Sequence, residues 1–280
     1  MAGLAFALVL GSGFVHSIWN LYTKKSMNKI VFLWICQIIA VIVLMPWTIA
    51  EWDAFHFTGT ALLIMLVSVV LHGMYVLLLA AAYTVGDLSQ VYPIMRGTSP
   101  LLVPFLAVLF LDESLSPMGW AGVAAIVAGI LFLSEIKLKR SSSTKAPLLA
   151  FAVGLCIAGY IVVDKMALDY FPAVIVLQAT NVGNVLVLTW AALRSRAIGQ
   201  ELRVNWKTML LGGVLAPGGY LLFMFAVSLA PVAQLAPMRE IGTVFGTLLG
   251  IFILKEQQGP RRIMTSILIT AGIIVLGLWG

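Results

Sequence analysis

Charge is what this chain has least of. Only 10% of its 280 residues are Asp, Glu, Lys or Arg, while 61% are hydrophobic and the mean hydropathy is +1.06. Soluble domains carry about 25% charged residues, so this composition cannot clothe a soluble fold and predicts a polytopic membrane protein. The net charge of +6 sits in short clusters between apolar runs. That pattern reports membrane topology rather than a polyanion-binding face, and excludes nucleic acid as a partner. Cysteine is scarce too: Cys36 and Cys156 each lie inside an apolar run and read as buried, unpaired residues. The three histidines, His16, His56 and His72, have no metal-ligand spacing, and no cofactor is implied. There is no H-E-x-x-H, no G-x-S-x-G and no P-loop, which counts against an intramembrane enzyme or an ATP-driven pump. No filter-like repeat argues for a channel. The opening "MAGLAFALVLGSGF" lacks a basic n-region and reads as a first membrane helix rather than a cleaved signal.

What is present is a series of runs long enough to cross a bilayer, which takes about 20 apolar residues each. Ten spans are predicted, near 3–23, 30–50, 58–84, 87–110, 116–135, 146–166, 171–193, 207–229, 231–254 and 261–279. The expected fold is an all-α integral membrane protein, since a barrel would show alternating strands instead. Fourteen of the seventeen Lys and Arg residues fall in the loops after spans 1, 5, 7 and 9, or just beside them. Lys165 stands alone on the opposite side, and Arg96 and Arg239 lie within spans. By the positive-inside rule the odd-numbered loops are cytoplasmic and both termini face outward.

The two halves echo each other. "YPIMRGTSPLLVPFLAVLFLDES" (92–114) aligns with "APMREIGTVFGTLLGIFILKEQ" (236–257) if one residue is skipped, placing Arg96 opposite Arg239 and Glu113 opposite Glu256. "VAGILFL" (127–133) meets "TAGIIVL" (270–276). The chain thus divides into five-helix repeats over 1–140 and 145–280. An odd number of spans per repeat sets the copies in opposite orientations, a recurring plan of secondary transporters with the substrate site between them at the midplane.

The "YPIMRGTSPLL…LDE" word, its "APMRE…LKE" echo and "HSIWNLYTKKS" (16–26) resemble the EamA-like transporters of the drug/metabolite transporter superfamily, in its branch of ten spans. The resemblance covers essentially the whole chain. It implies transport of a small metabolite across the bacterial cytoplasmic membrane by alternating access, with an amino acid or related carboxylate-bearing compound moved by efflux or exchange. The alternative from another class is an intramembrane enzyme acting on a lipid-linked or small-molecule substrate. Expected partners are the small-molecule substrate and membrane lipid, with protons open as a coupling ion and a monomer or weak homodimer as the assembly. Several relatives are held to keep both termini in the cytoplasm; the basic loops here predict the reverse.

Polar residues within the spans nominate the site. Arg96 and Arg239 are each predicted near the midplane, where an arginine costs about 2.5–3.5 kcal/mol and must face protein or water. Two roles are open for them: gripping the substrate or gating, or bonding structurally at a helix crossing. Glu240 is the one acid predicted deep in a span; it could neutralise an adjacent arginine or carry a proton. The pairing is expected with Arg239, leaving Arg96 for an anionic part of the substrate. Span 4 adds Tyr92, span 1 adds His16, Trp19 and Asn20, span 3 adds His72 and Tyr75, and spans 6 and 8 add Tyr160 and Tyr220. Each could be polar glue between helices; together they predict a moderately polar, aromatic-rich cavity lined by spans 1, 3, 4, 6, 8 and 9. Span 7 offers Gln178, Asn181 and Asn184. Asp164 and Lys165 are read as an interfacial pair at the outer end of span 6. Glu113 and Glu256 are read as helix-end anchors. Gly242, Gly246 and Gly250 form a ladder expected to bring another helix close.

Overall fold

The computed structural model describes residues 2–24, 26–53, 58–85, 88–133, 144–252 and 260–280. In chain order the helices are α1 (Ala2–Lys24), α2 (Lys29–Ala50), α3 (Gly59–Val85), α4 (Leu88–Phe110), α5 (Pro117–Leu133), α6 (Lys145–Ala167), α7 (Ala173–Arg194), α8 (Ile198–Leu229), α9 (Val232–Met238), α10 (Ile241–Phe252) and α11 (Pro260–Trp279). There is no strand among the described residues. In hydrocarbon every backbone N–H and C=O must be satisfied within the protein, and these Leu-, Ile- and Val-rich runs do so as helices. α2, α3, α6, α7 and α8 are each long and apolar enough to span by themselves. Their outward faces carry Leu63, Leu148, Leu186 and Trp190, all more than 60% exposed, as a lipid-facing surface requires.

Ten spans are present, but the ninth is broken. α9 stops at Met238 and α10 starts at Ile241, with Arg239 and Glu240 in a turn between them. The N–H of Glu240 bonds Pro237 O at 3.1 Å, that of Gly242 bonds Arg239 O at 3.1 Å, and that of Thr243 bonds Glu240 O at 2.8 Å. These are three-residue steps, a tightened turn of the kind that marks hinges within helices. Pro237 contributes by lacking an N–H to continue the ladder. α8 is also longer than expected, beginning nine residues before the predicted 207.

The repeat is visible in the packing. α1 packs on α8 as α6 packs on α3, α2 on α8 as α7 on α3, and α4 on α6 as α10 on α1, while α5 pairs with α11. Exchanging the repeats maps this list onto itself, so the two five-helix units pack as pseudo-symmetric copies. The α5–α11 seam shows the relation atom by atom. A Cβ at Gly272 would lie 2.8 Å from Gly122 O and from the Ile126 side chain, and one at Gly129 would lie 2.6 Å from Ile269 and 3.3 Å from Thr265 O. A shift of 143 residues turns one contact set into the other.

The predicted glycine ladder holds only at its first rung. A Cβ at Gly242 would meet Gly13 O at 2.8 Å, so α1 and α10 touch backbone to backbone there. Gly246, one turn further along α10, meets nothing within 4 Å and is exposed. The side chain position of Gly250 lies outside the described residues. Glu113 is an anchor in fact: its carboxylate accepts the N–H groups of Val232 at 2.9 Å and Ala233 at 2.7 Å. It therefore caps the N-terminus of the half-helix α9, where a negative charge also meets the positive end of the helix dipole. Glu256 lies outside the described residues.

Candidate functional site

A cavity of about 540 Å³ runs through the centre of the molecule. It reaches the surface beside Met27, Asn28 and Lys29, at the start of α2, and extends inward to Arg96, Arg239 and Glu240. His16, His72, Tyr75, Tyr160 and Tyr220 are also in its wall. The sequence therefore names eight of the side chains that meet here. Tyr92, Trp19 and Asn20 lie on α4 and α1, and their side chains are outside the described residues. α2, which contributes Leu33 and Gln37, was not expected in the lining, while α7 brings Asn181 and Asn184, two of the polar residues nominated from span 7.

The charge pairing differs from the expected one. Arg96 Nη2, not Arg239, lies 3.2 Å from Glu240 Oε2. Neighbours in sequence on a helix do not face each other, and the turn at 239–240 sends the two side chains apart. Glu240 reaches across to α4, and Thr243 Oγ1 donates to the same oxygen at 3.2 Å. The pair thus bridges the two repeats. His16 Nε2 lies 3.5 Å from Arg96 Nη1.

Arg239 is held by other means. Its Nε donates to Ser12 Oγ at 3.1 Å, and Ser12 in turn donates to Gly219 O at 2.6 Å. Its guanidinium carbon lies 5.1 Å from the Tyr220 ring centroid and 4.8 Å from that of Phe223. Two aromatic faces compensate part of its desolvation. Among the described residues no carboxylate lies within ion-pair distance of Arg239. One face of α1 therefore serves both arginines, with Ser12 against Arg239 and His16, a turn later, beside Arg96.

Asp164 corrects another expectation. It is not an interfacial partner of Lys165 but is 2% exposed, and its carboxylate is bound by Ser68, His72 and Tyr220. Lys165 turns the other way, and its Nζ donates to Val227 O at 2.6 Å. Opposite this cluster the wall is amide-rich. Asn181 Nδ2, Asn184 Oδ1 and Gln37 Oε1 are buried with no hydrogen-bond partner among the described residues. Such groups are costly unless a partner arrives. Gln178, one turn before Asn181, donates from Nε2 to Val41 O at 3.1 Å, while its Oε1 likewise has no partner among the described residues.

Residues 3–135 and 144–278 each match the model of the EamA-like transporter family. "Putative sugar uptake protein" of Listeria monocytogenes is 25% identical over 209 residues, covering 70% of each chain. "Putative sugar uptake protein" of Listeria innocua is 25% identical over 211 residues with the same coverage. A solved structure described as "Crystal structure of protein" superposes with a TM-score of 0.80 at 16% identity, covering 98% of this chain and 96% of that one. That last likeness bears on the fold alone.

Proposed function

We propose a transport cycle from one premise: the chain belongs to the EamA-like transporter family, whose members are transporters rather than enzymes. It is a multi-pass membrane protein, and it moves a small polar metabolite by alternating access, without consuming ATP. With the basic loops in the cytoplasm of a bacterial cell, the surface opening beside Lys29 faces inward, and the conformation is the inward-open one. The opposite side is closed where the repeats meet around Tyr160, Tyr220 and Asp164. Rocking of one repeat against the other would open that side and close the first.

The observation that carries the substrate reading is Arg239, a cation in the cavity wall with rings and a hydroxyl around it and, among the described residues, no carboxylate within ion-pair distance. A fixed positive charge in such a site attracts an anion and is relieved by it. Its guanidinium can grip a carboxylate through two parallel hydrogen bonds. The substrate carboxylate therefore binds Arg239 rather than Arg96, whose charge Glu240 already meets. The remainder of the substrate reaches the amides of Asn181, Asn184 and Gln37, which both donate and accept and so suit hydroxyl or amino groups. A carboxylate-bearing polyhydroxy or amino compound fits both walls.

A second reading has its own support. The amide wall alone suits a neutral sugar, and the Listeria relatives are named for sugar uptake. Counterflow in liposomes made from the purified chain separates the two. Accumulation of labelled sugar acids or amino acids, with neutral sugars inert, supports the anion site. Accumulation of neutral sugars alone overturns it, and chemical conversion of the label without flux would return the enzyme reading.

A further inference from the structure

Behind the aromatic wall of the cavity lies an ionisable cluster that the anion site does not use. Asp164 is near the end of α6, and groups from α3 and α8 converge on its carboxylate. The Ser68 hydroxyl donates to Oδ1. His72 Nε2 lies 3.0 Å from Oδ2, and the Tyr220 hydroxyl donates to Oδ2 at 2.5 Å. The His72 ring stacks on Tyr160 with centroids 4.0 Å apart and meets Tyr220 edge-on at 5.8 Å. Tyr75 packs on the other side of Tyr160 at 5.7 Å.

α6 packs against α3, α4, α8 and α9. From α3 the titratable groups are His72 and Tyr75. From α6 itself they are Tyr160, which stacks on His72, and Lys165, which is turned onto Val227 O. From α8 it is Tyr220. From α4 it is Arg96, held by Glu240, and beyond α9 it is Arg239, on the ring of Tyr220. Hence His72 is the group that can bring positive charge onto Asp164. A bare carboxylate among apolar residues is expensive, and two hydroxyl donors reduce that cost without cancelling the charge. A neutral His72 donating from Nε2 leaves the pair with one negative charge, and one further proton, on the imidazole or on the carboxylate, cancels it.

We propose that Asp164 and His72 form a proton-binding site of this transporter. The proton comes from water in the cavity, whose wall includes His72, and returns to water when the opposite side opens. No other bond is made or broken. The site joins α3 of the first repeat to α6 and α8 of the second, so its charge state acts on the contact that must open in alternating access. Tyr220 carries the effect further, since its hydroxyl is on Asp164 and its ring face is under Arg239. A proton on the pair weakens Oδ2 as an acceptor, frees Tyr220 to move, and thereby shifts Arg239. This last link to substrate rests on the anion site proposed above; the proton site itself does not.

The test is infrared difference spectroscopy of the liposome-embedded protein between acidic and alkaline buffer, with no substrate added. The wild type should show a pH-dependent carboxyl band, an acid stretch where the proton rests on Asp164 or a displaced carboxylate stretch where it rests on His72. The band should be lost in Asp164→Asn, shifted in frequency in Asp164→Glu, and retained in Glu240→Gln. On a solid-supported membrane, a pH jump should displace charge in the wild type and at least tenfold less in Asp164→Asn. A band unchanged in Asp164→Asn, or lost only in Glu240→Gln, overturns the assignment. Should Asp164→Asn not fold, an unshifted band in Asp164→Glu overturns it equally. Arg239→Lys should keep both the band and the charge movement, so failure of the anion site leaves this result standing and the reverse also holds.

Discussion

Arg96 and Glu240 tie the two repeats together at the centre of the protein, guanidinium to carboxylate at 3.2 Å. Each comes from the repeated word of its own half, but they are not the residues that symmetry equates. Arg96 corresponds to Arg239, and Glu240 occupies the position that Gly97 holds in the first repeat. The duplicated arginines have thus diverged: one is paired with a carboxylate across the interface and the other packs on the Tyr220 and Phe223 rings. Breaking a buried pair by removing one partner costs about 3–5 kcal/mol. Here the arginine side chain is 20% exposed to the cavity, so the cost falls to about 1–3 kcal/mol. Arg96→Met and Glu240→Gln should each lower the melting temperature in detergent. The double variant should lose less than the sum of the two, and strict additivity would show that the pair contributes nothing.

A second expectation concerns α10 and separates two glycines in one helix. Gly242→Ala drives a methyl group to 2.8 Å from Gly13 O, where backbone must move. The cost should be about 1–3 kcal/mol. Gly246→Ala meets nothing within 4 Å and replaces a poor helix former, so it should be neutral or stabilise by roughly 0.5–1 kcal/mol. Thermal melts of the two variants side by side check the sign of each. Equal destabilisation would mean that both rungs pack, as a simple ladder requires.

These contrasts show where sequence stops being informative. The ten spans were legible because twenty apolar residues between charged loops have few other uses. The repeat was legible because both halves kept an arginine in hydrocarbon, where only necessity retains one. Arg239–Glu240 and Asp164–Lys165 were misleading pairs for one shared reason. Opposite charges adjacent in sequence look like partners, yet adjacent residues on a helix point about 100° apart. Glu240 crosses to α4, Asp164 crosses to α3 and α8, and Lys165 bonds a carbonyl at the end of α8. Asking which other helix each charge must face would have found Asp164, which shares a helix face with Tyr160. The break in the ninth span could have been suspected from Pro237 alone, but α4 carries Pro93, Pro100 and Pro104 without breaking. Whether a proline interrupts a membrane helix depends on neighbours that resatisfy its lost hydrogen bond.

Sidedness has a direct check. By the positive-inside rule, the basic residues at 137–145 predict that this loop is cytoplasmic. Cys36 and Cys156 are buried, so a cysteine at Ser142 in a chain without them reports on one site. It should resist an impermeant thiol reagent in intact cells and react once the membrane is permeabilised. Labelling in intact cells would invert the topology and make the cavity described above outward-open.

Arg239 carries the substrate reading, and its replacement by lysine is the sharpest test of it. Lysine keeps the charge, but not the planar fork, and it stacks less well on rings. The bond from Nε to Ser12 at 3.1 Å and the contact with Phe223 at 4.8 Å would both weaken. The fold should survive with a modest drop in melting temperature, since no buried carboxylate is stranded. Binding of a carboxylate should suffer more. Losing one charge-assisted hydrogen bond costs about 1.5–3 kcal/mol, which corresponds to roughly a tenfold to hundredfold loss of affinity. Ser12→Ala separates positioning from contact, because it leaves the guanidinium intact but unanchored and should lower affinity less. Counterflow of a labelled carboxylate substrate in liposomes, measured against its concentration, gives these values. If Arg239→Lys moves that substrate with wild-type rate and affinity, the arginine serves only to join α1, α8 and the α9–α10 turn, and the anion is held elsewhere.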